Sequence, residues 1–218
     1  MTVQTYAAVL PDGISAQDFL AHALVGGHAL APRFWTNARR RHRDQLVGYQ
    51  PGRRALCAGG RLDLLDLRGQ REAVAAWAAV RYHHWFQLAR GTRDAKPLAA
   101  FLRRHATAPQ QYPRSEAEHD FWSQPRINAM VLHNHTVADP QLWLSPTQVE
   151  MFQAGQKAYV QYSMDAALAC DKIILPTGEV LAPASDFMAD RIAYHQQALA
   201  HLRALRGSQR LIAVTRNS

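Results

Sequence analysis

At 218 residues and 48% hydrophobic content the chain is long enough to bury a core, as one large domain or two small ones, and wholesale disorder is excluded. It carries 25 Lys and Arg against 17 Asp and Glu, a net charge of +8, and Arg outnumbers Lys 22 to 3. Two cysteines, Cys57 and Cys170, are too few for a disulfide framework or a Cys-only zinc site, and no apolar run approaches the ~18 residues of a membrane span.

Met1-Thr2-Val3-Gln4-Thr5-Tyr6 has neither the charged nor the apolar region of a signal peptide, so a soluble, cytoplasmic protein is expected. Val3 to Leu10 predicts a short strand, closed by the turn Pro11-Asp12-Gly13. Ser15 caps a helix, with Asp18 as its capping-box partner. After Pro32 a second helix is predicted over Arg33 to Val47, carrying Arg39-Arg40-Arg41-His42-Arg43. Successive helical residues sit about 100° apart, so these cations fan round more than one face and must meet solvent or a polyanion. Gly48 to Gly60 is turn-rich, and Arg54 to Ala58 with Arg61 to Arg68 suggests a hairpin.

The best-supported helix spans about Gln70 to Arg90, stopped by Gly91. Its stripe of Val74, Trp77, Ala78, Trp85 and Leu88 predicts that both tryptophans are core. Lys96 to His105 makes another helix with Pro97 in its first turn, and a short acidic helix begins at Ser115. Ile127 to His133 is expected as an extended segment, and Ser145 to about Cys170 as one long helix. Lys172 to Ala182 reads as a hairpin turning at Thr177-Gly178, Ser185 to Arg206 as a final helix, and Leu211 to Thr215 as a closing strand. The fold class is α+β and helix-rich, several helices packed with short strands and a small β-hairpin.

The charge is not spread evenly. Residues 1–104 hold 15 Arg and one Lys against seven acids; residues 105–218 hold seven Arg and two Lys against ten. High-GC codon usage accounts for Arg over Lys, but not for the shortage of acids in one half. This predicts a basic, nucleic-acid-binding lobe at 1–106, a Pro-bearing linker at 107–126, and a near-neutral, protein-docking lobe at 127–218.

Arg grips phosphate bidentately and stacks on bases, so the expected function is non-enzymatic binding of RNA or DNA, alone or as a subunit of a larger ribonucleoprotein or DNA complex. The candidate contacts are Arg33, Trp35, Arg39, Arg40, Arg41, Arg43, Arg53 and Arg54, with Tyr49 as a further stacking ring. A metal-independent endoribonuclease is the alternative, with His28 or His42 as base and arginines on the phosphate. A basic adaptor for an acidic protein is the third. If residues 127–133 are extended, His133 and His135 project to one side and become metal candidates. No cofactor is expected, and no phosphate-cradling Gly-rich loop or nucleophile elbow is present.

Overall fold

In a computed structural model, the described residues are 3–217 apart from 12, 16, 17, 19, 20, 22–27 and 53; for Val3, His28 and Asn217 the description is of the backbone. The expected helix after Ser15 falls largely outside them. Its cap is visible: the Ser15 hydroxyl accepts from the Asp18 N–H at 3.1 Å. No helix is long and apolar enough to cross a membrane among the described residues.

The chain divides into two compact units, one of residues Met1–Ala73, Met164–Ser185 and Asp190–Ser218, the other of Val74–Ser163 and Asp186–Ala189. These units follow a different course from the charge-based division. The first takes strands from both ends of the sequence, and residues 107–126 lie within the second.

The first unit is built on β1 (Val3–Leu10), whose residues from Tyr6 to Leu10 are all buried, as befits a central strand. The closing strand β8 (Arg210–Asn217) pairs with it antiparallel along eight residues. On the other side of β1 lies β6 (Lys172–Ile174), parallel to it, and β7 (Val180–Leu181) completes the predicted hairpin. The outer edge of β8 is covered by β2 (His28–Leu30) and β5 (Gly59–Arg61). A separate ribbon pairs β3 (Phe34–Trp35) with β4 (Leu56–Cys57). One face of this unit buries Ala7, Val9, Phe34, Cys57, Ile173, Leu199 and Leu211 together; the other buries Tyr6, Ala8, Leu10, Ile212 and Val214.

Helix α1 (Leu67–Ala89) begins three residues before its predicted start and ends before Gly91, at φ +77°. In the second unit follow α2 (Leu98–Thr107), α3 (Arg114–Trp122), α4 (Pro125–Thr136) and α5 (Val149–Gln153). Helix α6 (Gln156–Ala169) and helix α7 (Met188–Ala204) complete the set. The architecture is α+β and helix-rich.

Four local expectations are corrected. Within Arg33–Val47 only Arg40–Gln45 is helical, as a 3-10 turn flanked by extended Arg39 and Leu46. Long-range pairing wins there: Phe34 and Trp35 meet Cys57 and Leu56 across the ribbon. Consequently the 54–58 strand pairs with β3, and β5 pairs with β8, rather than with each other. The segment from Ile127 to His133 is helical, not extended, because Pro125 occupies a first helical position and Ile127 and Met130 are buried at helical spacing. The predicted helix from 145 to 170 is interrupted at Gly155, where φ is +106°, a conformation that costs glycine little and other residues much.

The tryptophan stripe is half right. Trp85 is 5% exposed and stacks on Phe152 with centroids 5.3 Å apart, whereas Trp77 is 40% exposed. Ala78, Trp85 and Ala89 form the buried line, and Trp77 lies a quarter-turn or so round the helix from Trp85.

Candidate nucleic-acid interface

The site is assembled on the β3–β4 ribbon. One edge of β3 is satisfied by β4, and the other by the start of α1: buried Gln70 accepts from the Trp35 N–H (3.3 Å) and donates to the Arg33 carbonyl (3.2 Å), and the Asp66 N–H donates to the Trp35 carbonyl (2.8 Å). A buried backbone edge needs such partners, and the first turn of α1 supplies one. Thr36 then turns the chain away, its hydroxyl donating to the Leu64 carbonyl (2.6 Å) and accepting from the Ala38 N–H (3.1 Å). Thus Asn37, Arg39 and the 3-10 turn are carried outward from a fixed base.

On that turn Arg39, Arg40, Arg41 and Arg43 are all exposed, and none makes an ion pair among the described residues. The turn itself is held by backbone: His42 N–H donates to the Arg39 carbonyl (2.8 Å) and Leu46 N–H to the Arg43 carbonyl (3.1 Å), with Leu46 buried as anchor. Arg43 lies over the Tyr49 ring, its guanidinium carbon 5.1 Å from the centroid. His42 is half-buried, and its Nε2 accepts from Arg41 Nε at 3.0 Å. Its Nδ1 lies 3.4 Å from the Gln45 side-chain nitrogen.

Two clefts open beside the turn. The smaller, about 260 Å³, is lined by Asn37, Arg39, Arg41, His42 and Asp63 among others. Its one carboxylate, Asp63, is bound by Arg61 at 2.5 Å. The larger, about 600 Å³, shares Asn37 and is lined by Trp35, Arg54, Asp66 and Glu72 among others. The Arg54 guanidinium carbon sits 4.1 Å from the Trp35 ring centroid. Asp66 caps α1, accepting from the Gly69 N–H at 2.9 Å, and Glu72 pairs with Arg68 at 2.9 Å.

Of the candidate contacts, the structure brings Trp35, Arg39, Arg41 and Arg54 to these clefts and leaves Arg40 and Arg43 on the adjoining turn. Arg33 is elsewhere and occupied: it donates to the carbonyls of Ala166 (3.1 Å) and Ala167 (3.2 Å) in the last turn of α6, where cations are favoured. Arg53 and the His28 side chain lie outside the described residues.

The helical course of α4 removes the geometry that made His133 and His135 a pair, since residues two apart on a helix point about 200° from each other. His133 instead lies 3.2 Å from the Leu142 carbonyl. No group of three potential metal-ligating side chains occurs among the described residues. Burial pushes both thiols, Cys57 and Cys170, up to about 11, so neither is a thiolate at neutral pH.

Asn37, Asp66 and Glu72 escaped the sequence reading. They lie 29 or more residues apart in the two cases that span the cleft, and only the Asp66-to-Gly69 spacing of a helix cap was visible beforehand. The chain matches no family model, no curated protein and no solved structure.

Proposed function

We propose that this is a nucleic-acid-binding protein that grips the phosphate backbone through the turn bearing Arg39, Arg40, Arg41 and Arg43. The observation that carries this is four exposed guanidinium groups gathered on one short turn, none of them with an ion-pair partner among the described residues. Arg61, Arg68, Arg71, Arg114 and Arg126 all have acidic partners within 4 Å. Like charges held together on one short turn repel, and a polyanion relieves that repulsion while releasing its own counterions. Trp35 and Arg54 add a stacking surface beside the turn. Protein partners for the second half belong to the same reading, supported by apolar surface at Leu132, which is 65% exposed, and at Trp143, 50% exposed.

A quadruple Arg39→Ala, Arg40→Ala, Arg41→Ala, Arg43→Ala variant tests it. Affinity should fall for every oligonucleotide sequence, and the slope of log K against log salt should flatten by roughly 0.7–0.9 per lost phosphate contact. Unchanged affinity and slope would remove this turn as the contact surface. Cleavage of RNA in EDTA that His42→Ala abolishes would replace binding by the ribonuclease; retention only by acidic protein would favour the adaptor.

A further inference from the structure

We infer that the larger cleft beside Trp35 is a pocket for an unpaired nucleobase, so that the nucleic acid this protein takes is single-stranded; the inference rests on the nucleic-acid reading above. Its volume, about 600 Å³, falls in the range of small-ligand pockets, roughly 300–1,000 Å³. A base needs a flat surface to replace the stacking it loses on leaving its neighbours. The cleft offers one already assembled: Arg54 lies over the Trp35 indole at 4.1 Å, and bases stack on guanidinium planes as well as on aromatic rings.

Charge separates the two clefts by the chemistry they accept. Asp66 and Glu72 line the larger one, and carboxylates there oppose a phosphate but accept hydrogen bonds from the N–H groups of a base edge. Both are engaged on their own side, Asp66 by the Gly69 N–H and Glu72 by Arg68, and each retains further acceptor capacity. The smaller cleft carries Arg39, Arg41 and His42, and its carboxylate is neutralised by Arg61. Asn37 lines both. A nucleotide with its base beside Trp35 and its phosphate beside Arg39 and Arg41 satisfies both sets of groups. A duplex cannot present a base this way without unpairing it, which costs a few kcal/mol.

The full chain is titrated with a labelled mixed-sequence oligonucleotide, single-stranded and as its duplex, at one salt concentration, in wild-type form and as Arg54→Ala, Trp35→Ala and Trp35→Phe. The single strand should bind tighter. Arg54→Ala and Trp35→Ala should weaken it roughly tenfold or more, with a much smaller effect on the duplex, and Trp35→Phe should keep most of the affinity. Arg54 is exposed, so its substitution decides the matter even if Trp35→Ala does not fold. Equal or tighter duplex binding, or equal losses on both ligands, overturns the base pocket while leaving phosphate binding intact. A free nucleoside monophosphate that competes as well as the strand makes this a mononucleotide site and also overturns it. Binding of neither oligonucleotide removes the nucleic-acid reading itself.

Discussion

Arg126 and the arginines of the 40–45 turn are the same side chain put to opposite uses. Arg126, on α4, is 7% exposed and donates to the Thr92 hydroxyl (3.0 Å), the Thr92 carbonyl (2.6 Å) and the Gln153 side chain (3.0 Å), with Asp94 as ion-pair partner. Its guanidinium carbon stands 5.7 Å from the Trp85 ring centroid. On the turn, Arg39, Arg40, Arg41 and Arg43 are exposed and without a carboxylate. A guanidinium whose donors are spent on its own fold cannot grip a ligand; one held out in solvent keeps its donors free for an anion. The comparison shows that a count of arginines per half of the chain cannot assign roles. Arg126 sits in the half whose net charge is close to zero, and Arg33, in the basic half, is spent on the end of α6.

The largest test of the contrast is Arg126→Ala. It leaves the Thr92 carbonyl without its donor, takes one of two donors from the Gln153 amide oxygen, which keeps the Ala95 N–H at 2.8 Å, and removes a cation from beside Trp85, whose own indole N–H is buried with no acceptor among the described residues. Asp94 is solvated, so the ion pair itself contributes little, and the cost comes from the part-buried Thr92 carbonyl left unpaired and from the space vacated beside Trp85. A loss of about 3 kcal/mol is expected, measured by urea unfolding. A loss under about 1 kcal/mol would mean that the buried guanidinium is as dispensable as the exposed ones, and the comparison would fail.

A second test concerns a cation the fold refuses. His195, on α7, is 6% exposed, and burial, reinforced by Arg191 and opposed by Asp165 and Asp171, lowers its pKa to about 4 from 6.5. The ring is therefore neutral in the folded protein, while the unfolded chain binds a proton below pH 6.5. Its contribution is intact above that pH and is lost as pH falls towards 4, by about 3 kcal/mol at most. Unfolding free energies at pH 7, 6 and 5 should fall more steeply for wild type than for His195→Gln. Parallel profiles would show that this histidine titrates alike in both states.

How far these sites were legible in the sequence depends on how local their causes are. The strand Val3–Leu10, the 172–181 hairpin, the helix stopped at Gly91 and the helix after Pro97 are set by periodicity and turn residues close at hand. The Arg33–Val47 segment was not, because its fate is decided by Leu56, Cys57 and Gln70, residues that pair with β3 from further along the chain. The helical character of 125–136 could have been seen: Pro125 at a first helical position and the Ile127–Met130 spacing are local signals, outweighed by the β-branched look of a short apolar run. The exposed arginines were visible as a cluster with Asp44 in the same turn, but that none of them forms an ion pair with it or with Asp63, Asp66 or Glu72 depends on side-chain geometry: the last three are engaged by Arg61, Gly69 and Arg68.

The smallest expected effect is the most telling. The quadruple alanine variant of Arg39, Arg40, Arg41 and Arg43 should change stability little, because the turn is held by backbone hydrogen bonds and by buried Leu46, none of which involves a guanidinium. Two contacts are lost, that of Arg43 with Tyr49, worth about 0.5–1 kcal/mol at an exposed site, and that of Arg41 with His42. Against them stands relief of repulsion among four neighbouring cations, an effect that salt screens over about 10 Å at 0.1 M. The net change in melting temperature should be within a few degrees, and the comparison with wild type should shift in the variant's disfavour as salt is raised, because repulsion in wild type is then screened. A large fall in melting temperature at every salt concentration would make these arginines part of the fold, and loss of nucleic-acid binding in the variant could then no longer be assigned to lost contacts.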